Sequence, residues 1–426
     1  MTTDLWERRR NTLGAHSPLF YDRPLELVRG EGVWLWDDDD TRYLDAYNNV
    51  PHIGHCHPRV VEAVREQAST LNLHTRYLNR RVVEYAEALL ATFDDTLDRV
   101  FFVNSGSEAN DLAFRIATQH TGDRGVIVSD FSYHGNTHYL ARLTTGLTAH
   151  EGLADHVRPI RVPDLDTTDA AGETVLAEAL AEVDMAIATL EEAGHGLAAV
   201  LIDPLFSTEG LNRLPVGYVE GLVARVRAAG GLVIGDEVQS GFGRTGSHMW
   251  GHGRLGITPE LVTLGKPMGN GHPLGAVVTT AALLDEFGPR NMYFNTFGGN
   301  PVSSAAGHAV LQVMQEEGLQ ERAAATGAEV RAELERLASG HPLLGPIKGA
   351  GLFFGFGVYR DPEHRSPDAA ATKRLVEAMR TEGVLISRIG PHGNVLKMRP
   401  PLAFDHEHVA VFADALGASL SRALPS

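Results

Sequence analysis

Seven short apolar runs alternate with stretches of helical spacing between residues 99 and 279, and this alternation leaves few folds open. The runs cover residues 99–103, 125–129, 156–162, 198–203, 231–236, 261–264 and 274–279. Between most of them, as at 108–118, 173–190 and 218–229, apolar residues recur at the three- and four-residue intervals of an amphipathic helix. Such strands bury both faces only when helices cover the sheet, so the pattern predicts an α/β fold built on a mostly parallel seven-stranded sheet. Ligands in folds of this kind bind beyond the carboxyl ends of the strands.

A long helical region follows over 301–339, and shorter mixed elements fill the remainder. The expected division is an N-terminal segment 1–49 that joins a smaller α+β domain, a large domain 50–310, and the rest of the small domain at 311–426. The acidic run Asp37 to Asp40 lies between two strand-like stretches and reads as a hairpin turn, not a metal site. No apolar run approaches the ~18 residues of a membrane span, and the N-terminus lacks the basic-then-apolar order of a secretory signal. Cys56 is the only cysteine, so the cytoplasm is the expected compartment. A net charge of −17 without a basic patch argues against nucleic acid as a partner.

The strand ends carry the chemistry. The chain has four lysines against 33 arginines, and Lys266 stands in a glycine-rich stretch directly after the 261–264 run. Asp236 closes the run before it. A lysine and a carboxylate at the ends of successive strands suit pyridoxal phosphate, whose carbonyl needs an amine and whose ring nitrogen needs an acid partner. A surface lysine and a loop-capping acid would read the same in isolation. After the first run, Ser105, Gly106 and Ser107 open a helix, where free N–H groups and the helix dipole favour an anion. An ordinary N-cap by Ser105 or Ser107 is the plainer reading of that segment alone. Tyr133 and His134 follow the next run, where an aromatic ring could stack on a cofactor. Thr296 precedes another helix start and could bring a hydroxyl to a phosphate.

Taken together, Ser105 to Ala109, Tyr133 to Gly135, Asp236 to Gln239 with Gly241 to Arg244, Lys266, and Thr296 to Pro301 resemble the class III, ornithine-transaminase-like enzymes of the pyridoxal phosphate transferase fold type I. The resemblance runs from about residue 15 to the end. It implies that Lys266 is the Schiff-base lysine and proton shuttle and that Asp236 pairs with the pyridinium nitrogen. It further implies that Ser105, Gly106 and Ser107 hold the cofactor phosphate, that Tyr133 and His134 flank the ring, and that Gln239 approaches its hydroxyl side. Thr296 would come from the partner subunit of a homodimer, with pairing of dimers into tetramers left open.

Tyr47 to Pro58, Leu71 to Leu78, Pro267 to Pro273 and Phe294 to Thr296 resemble the phospholyase branch of that class, whose substrates include O-phosphoethanolamine and 5-phosphohydroxylysine. Where many transaminases of the class carry a second glutamate, this chain has Thr208, unless a one-residue slip brings Glu209 there. That difference favours a one-substrate elimination yielding acetaldehyde, ammonia and phosphate. A substrate phosphate needs a cation, and Arg76 is the first candidate, with Asn49 and Tyr77 as neighbours. Arg399 resembles the position that binds a substrate carboxylate in related transaminases, and would touch the phosphate, mark a carboxylated substrate such as phosphohydroxylysine, or simply pair with an acid. The alternatives are an ω-amino-acid or amine transaminase and a regulatory protein that binds the cofactor without turnover. The letters at 241–246 match a dinucleotide fingerprint but no helical pattern follows them, and His52, His55, Cys56 and His57 lack a second ligand pair for zinc.

Overall fold

The computed structural model describes residues 2–146, 150–361 and 363–424. Its central sheet has seven strands in the order Arg99–Val103, Gly275–Thr279, Leu261–Leu264, Leu232–Asp236, Ala199–Ile202, Val126–Ser129, Val157–Ile160. Alternate residues of one strand feed opposite cores. Val126 and Val128 pack with Leu112, Ala113 and Ile116 of the helix Gly106–Thr121, whereas Ile127 packs with Val183 and Leu222 from the helices Gly172–Glu192 and Tyr218–Ala228. Burial on both faces explains why these runs read as continuously apolar.

One strand departs from the parallel pattern: Gly275–Thr279 is antiparallel to both of its neighbours. A parallel return needs a crossover of about a dozen or more residues, usually a helix, and the short link from Leu264 contains only the 3-10 turn Lys266–Gly269.

The region 301–339 is two helices, Pro301–Glu316 and Leu319–Ser339. Asn300 caps the first through the Ser303 N–H, and Gly318, at a φ of 58°, turns the chain between them in the left-handed region that favours glycine. Trp34–Asp37 and Arg42–Asp45 pair across the acidic turn, where Asp37 Oδ1 accepts from the N–H groups of Asp39 and Thr41 at 3.1 and 2.9 Å. Val384–Leu385 pairs in parallel with Arg42–Asp45, joining the first segment of the chain to its last part. A further antiparallel sheet runs Lys348–Ala350, Phe353–Gly357, Val395–Met398, Ser387–Ile389. No helix among the described residues is long and apolar enough to cross a membrane.

Candidate active site

The parallel strands Leu232–Asp236 and Leu261–Leu264 are registered so that Asp236 lies opposite Thr263. Asp236 and Lys266 therefore emerge side by side at the carboxyl edge of the sheet. The start of the helix Gly106–Thr121 presses against both. A Cβ on Gly106 would come 2.8 Å from Val238 Cγ2, and one on Gly265 would come 2.9 Å from the Gly106 nitrogen. Only glycine permits that approach, and it leaves the first N–H groups of the helix, which have no intrahelical partner, facing the opening. The result is a cavity of about 280 Å³ lined by Ser105, Gly106, Ser107, Tyr133, His134, Asp203, Asp236, Val238, Gln239, Lys266 and neighbouring backbone.

Asp236 is 5% exposed and held from several sides. Its Oδ2 accepts from Asn110 Nδ2 at 3.0 Å and from His134 Nδ1 at 2.8 Å, and its Oδ1 accepts from the Val238 N–H at 3.1 Å. Asn110 is itself fixed, accepting from Thr263 Oγ1 at 2.7 Å and donating to the His134 carbonyl at 2.7 Å. Burial opposes a charged His134 ring, but the Asp236 carboxylate more than offsets it and holds the imidazole above its ordinary pKa. A carboxylate braced in this way can face a protonated ring nitrogen without swinging away.

Lys266 is partly buried and has no hydrogen bond or ion pair among the described residues. Burial lowers its pKa, the charge of Arg399 lowers it further, and Asp236 and Asp203 pull the other way. A depressed pKa favours the neutral amine, the form that attacks a carbonyl or takes a proton. Arg399 is buried, donates to Gln239 Oε1 and, at 3.3 Å, to the Tyr47 carbonyl, and pairs with no carboxylate among the described residues. Glu209 is equally buried, but it accepts from the Ser129 hydroxyl, and burial followed by the nearby Asp203 pushes its pKa up to about 7. Glu209 forms no ion pair with Arg399 among the described residues, and the neighbouring Thr208 carries no charge.

The remaining candidates divide. Ser105 caps the helix, accepting from the Glu108 N–H at 3.2 Å, while Ser107 Oγ accepts from the Asn136 N–H at 3.3 Å and keeps its own proton to donate. The plain capping role falls to Ser105, and Ser107 is left with a free hydroxyl donor on the cavity wall. Asn49 is buried, with neither amide atom hydrogen-bonded among the described residues, next to Val50 on the cavity wall. Arg76, Tyr77 and Thr296 are exposed and do not line this chain's cavity. Arg76 lies 3.6 Å over the Phe294 ring, and Tyr77 stacks on His74 at 5.4 Å. The histidines at 52–57 have separate uses: His52 meets the Phe242 carbonyl at 2.6 Å and Arg244 at 3.1 Å, whereas His55 meets Asp45 at 2.7 Å.

Sequence reasoning missed Asn110, Thr263, Asp203 and Lys397. Asn110 could have been found, because it shares helical spacing with the buried Ala113 and Ala117 and so places an amide on an apolar face. Lys397 had only its rarity as a signal.

The chain matches the family described as aminotransferase class-III over residues 20–420. It is similar to a solved phospholyase from Arthrobacter in complex with phosphoethanolamine, at 60% identity and a TM-score of 0.97, covering 99% of this chain and 100% of that one. It is 39% identical to the alanine–glyoxylate aminotransferase 2-like protein of Drosophila melanogaster over 96% of this chain and 85% of the relative. It is 36% identical to the ethanolamine-phosphate phospho-lyase homolog 1 of Caenorhabditis elegans, over 97% and 92%. With the braced carboxylate, the free lysine and the glycine cradle at the strand ends, the chain belongs to the class-III aminotransferase family.

Proposed function

We propose that the protein is a pyridoxal-phosphate-dependent phospho-lyase that converts O-phosphoethanolamine and water to acetaldehyde, ammonia and inorganic phosphate. The observation that carries this reading is the full-length likeness to a phospholyase in complex with phosphoethanolamine, at 60% identity, together with a cavity that joins Lys266 and Asp236 to a helix N-terminus. The residues present fit the cofactor: a cradle that a Cβ would fill could take the phosphate, and a buried carboxylate could meet the ring nitrogen.

When bound, the cofactor supplies a carbonyl for the substrate amine and a ring that accepts electrons from the adjoining carbon. Gly106 and Ser107 would hold its phosphate through N–H groups and a hydroxyl, and Tyr133, which lines the same cavity, would lie against its ring. Asp236, pinned by Asn110, His134 and the Val238 N–H, would be held in place to meet the ring nitrogen. Lys266, released as a neutral amine, takes the proton from the carbon next to nitrogen. The carbon–oxygen bond beyond it breaks, and the phosphate leaves with the bonding pair. Phosphate, with a second pKa of about 6, departs far more readily than hydroxide. The confinement of Glu209 by Ser129 supports elimination over transamination, since it leaves no carboxylate to exchange with a second substrate at Arg399.

Thr296, exposed and outside this chain's own cavity, would serve the partner's cavity in a homodimer. The test is to supply the cofactor-loaded enzyme with O-phosphoethanolamine and no keto acid, and to follow phosphate and acetaldehyde together. Equimolar release is expected. Amine transfer that depends on pyruvate or 2-oxoglutarate, with no phosphate released, would assign the chain to the transaminases.

A further inference from the structure

Two of the four lysines are conventionally paired: Lys348 with Asp164 and Asp166, and Lys373 with Asp22 at 2.7 Å. Lys266 and Lys397 have neither a carboxylate partner nor a hydrogen bond among the described residues. For Lys266 that freedom is a condition of its chemistry. Lys397, only 3% exposed, needs another explanation, because an ammonium buried without a partner is strongly unfavourable and a hydrophobic residue would fit such a position better.

Its surroundings supply one. Lys397 lies on the strand Val395–Met398, with Nζ 5.8 Å from the Tyr47 ring centre and 5.6 Å from that of Phe353. Arg399, two positions further on, stands over the same two rings at 5.1 and 5.5 Å. Two cations on one face repel each other unless an anion lies between them. The acids whose charge reaches Lys397 are Asp203 and Glu209, and both are engaged elsewhere. Asp203 accepts from the Leu205 N–H at 2.9 Å and from the N–H and hydroxyl of Ser207, Glu209 accepts from Ser129 through Oε1 while its Oε2 has no hydrogen-bond partner, and neither acid forms an ion pair with Lys397 among the described residues. Arg399 reaches the cavity through Gln239, which lines it.

We propose that Lys397 and Arg399 together form the subsite that receives the substrate's phosphate, with the anion taking the place of Gln239 on Arg399, so that Lys397 is a specificity determinant for phosphorylated amines. The inference rests on the phospho-lyase reading above. Burial, then the charges of Arg399 and Lys266, drive Lys397 toward its neutral form in the free enzyme, and a phosphate dianion arriving there restores the ammonium.

The test uses the cofactor-loaded enzyme and 2-aminoethylphosphonate, whose carbon–phosphorus bond offers no phosphate to eliminate. Calorimetric titration should show the wild type binding it more tightly than n-propylamine. Lys397→Met should weaken the phosphonate about 10- to 100-fold, the loss expected for a charge-assisted hydrogen bond, with propylamine binding unchanged, and Lys397→Arg should restore most of the affinity. Should Lys397→Met fail to retain the cofactor, Lys397→Gln is titrated in its place. A wild type that does not distinguish the two ligands removes the phospho-lyase reading and this subsite with it. A wild type that distinguishes them while the Lys397 variants bind the phosphonate normally, or lose both ligands alike, overturns the subsite and leaves the phospho-lyase reading standing.

Discussion

At the scale of single residues, the chemistry depends on charges held where water cannot screen them. An ion pair between Asp236 and a protonated ring nitrogen, at about 4 Å and an effective dielectric of about 20, is worth about 4 kcal/mol. If it is felt only as charge develops, that corresponds to about three decades of rate. Asp236→Asn should therefore reduce single-turnover elimination by about that factor while cofactor absorbance persists. Glu209 yields a pH prediction. Its folded pKa is raised to about 7, above the unfolded value of about 4.3. The folded state thus binds the extra proton between those values, and the contribution of Glu209 to stability is full at low pH and lost as pH rises toward 7. Glu209→Gln escapes that loss, so its melting temperature should rise relative to wild type between pH 5 and pH 8. A difference that is flat with pH would show that Glu209 does not titrate in this window. Lys266 and Asp236 were legible from the letters because each ends an apolar run. The bond from Ser129 to Glu209 was not, since 80 positions separate the two residues.

At the scale of elements, the loop after Asp236 hangs on one buried acid. Glu237, fully buried, accepts from Ser240 Oγ at 2.5 Å, from the N–H groups of Gly251 and His252 at 2.9 and 2.7 Å, and from the His252 ring at 2.8 Å. Removing it strands buried donors, so Glu237→Ala should cost about 3–5 kcal/mol in denaturant unfolding, and Glu237→Gln, which keeps an acceptor, distinctly less. The strands were readable because burial on both faces makes them apolar throughout. Direction was not: Gly275–Thr279 has the composition of its parallel neighbours, and only the short link after Lys266 turns it around. The break at Gly318 was likewise hidden inside a continuous helical pattern.

At the scale of the whole molecule, the proposed homodimer, with Thr296 contributed across its interface, can be tested by mixing subunits. If Thr296 serves the partner's cofactor, Lys266→Ala and Thr296→Val enzymes, each impaired alone at limiting cofactor, should regain activity when their subunits are exchanged. One site of each hybrid then has both residues intact. Failure to recover, in a mixture shown to contain hybrids, would place Thr296 outside the partner's site. From the sequence by itself came the class of sheet, the lysine and the acid at its strand ends, and the glycine-containing helix start beside them. These are local signals, written in burial and in turn chemistry within a few residues. Only the tertiary structure brought Asn110, His134 and Thr263 around Asp236, closed Glu209 against Ser129, and set Lys397 and Arg399 over the rings of Tyr47 and Phe353. Those contacts join residues far apart in the chain, and their energies depend on burial and on the partner present, which no local run of residues specifies.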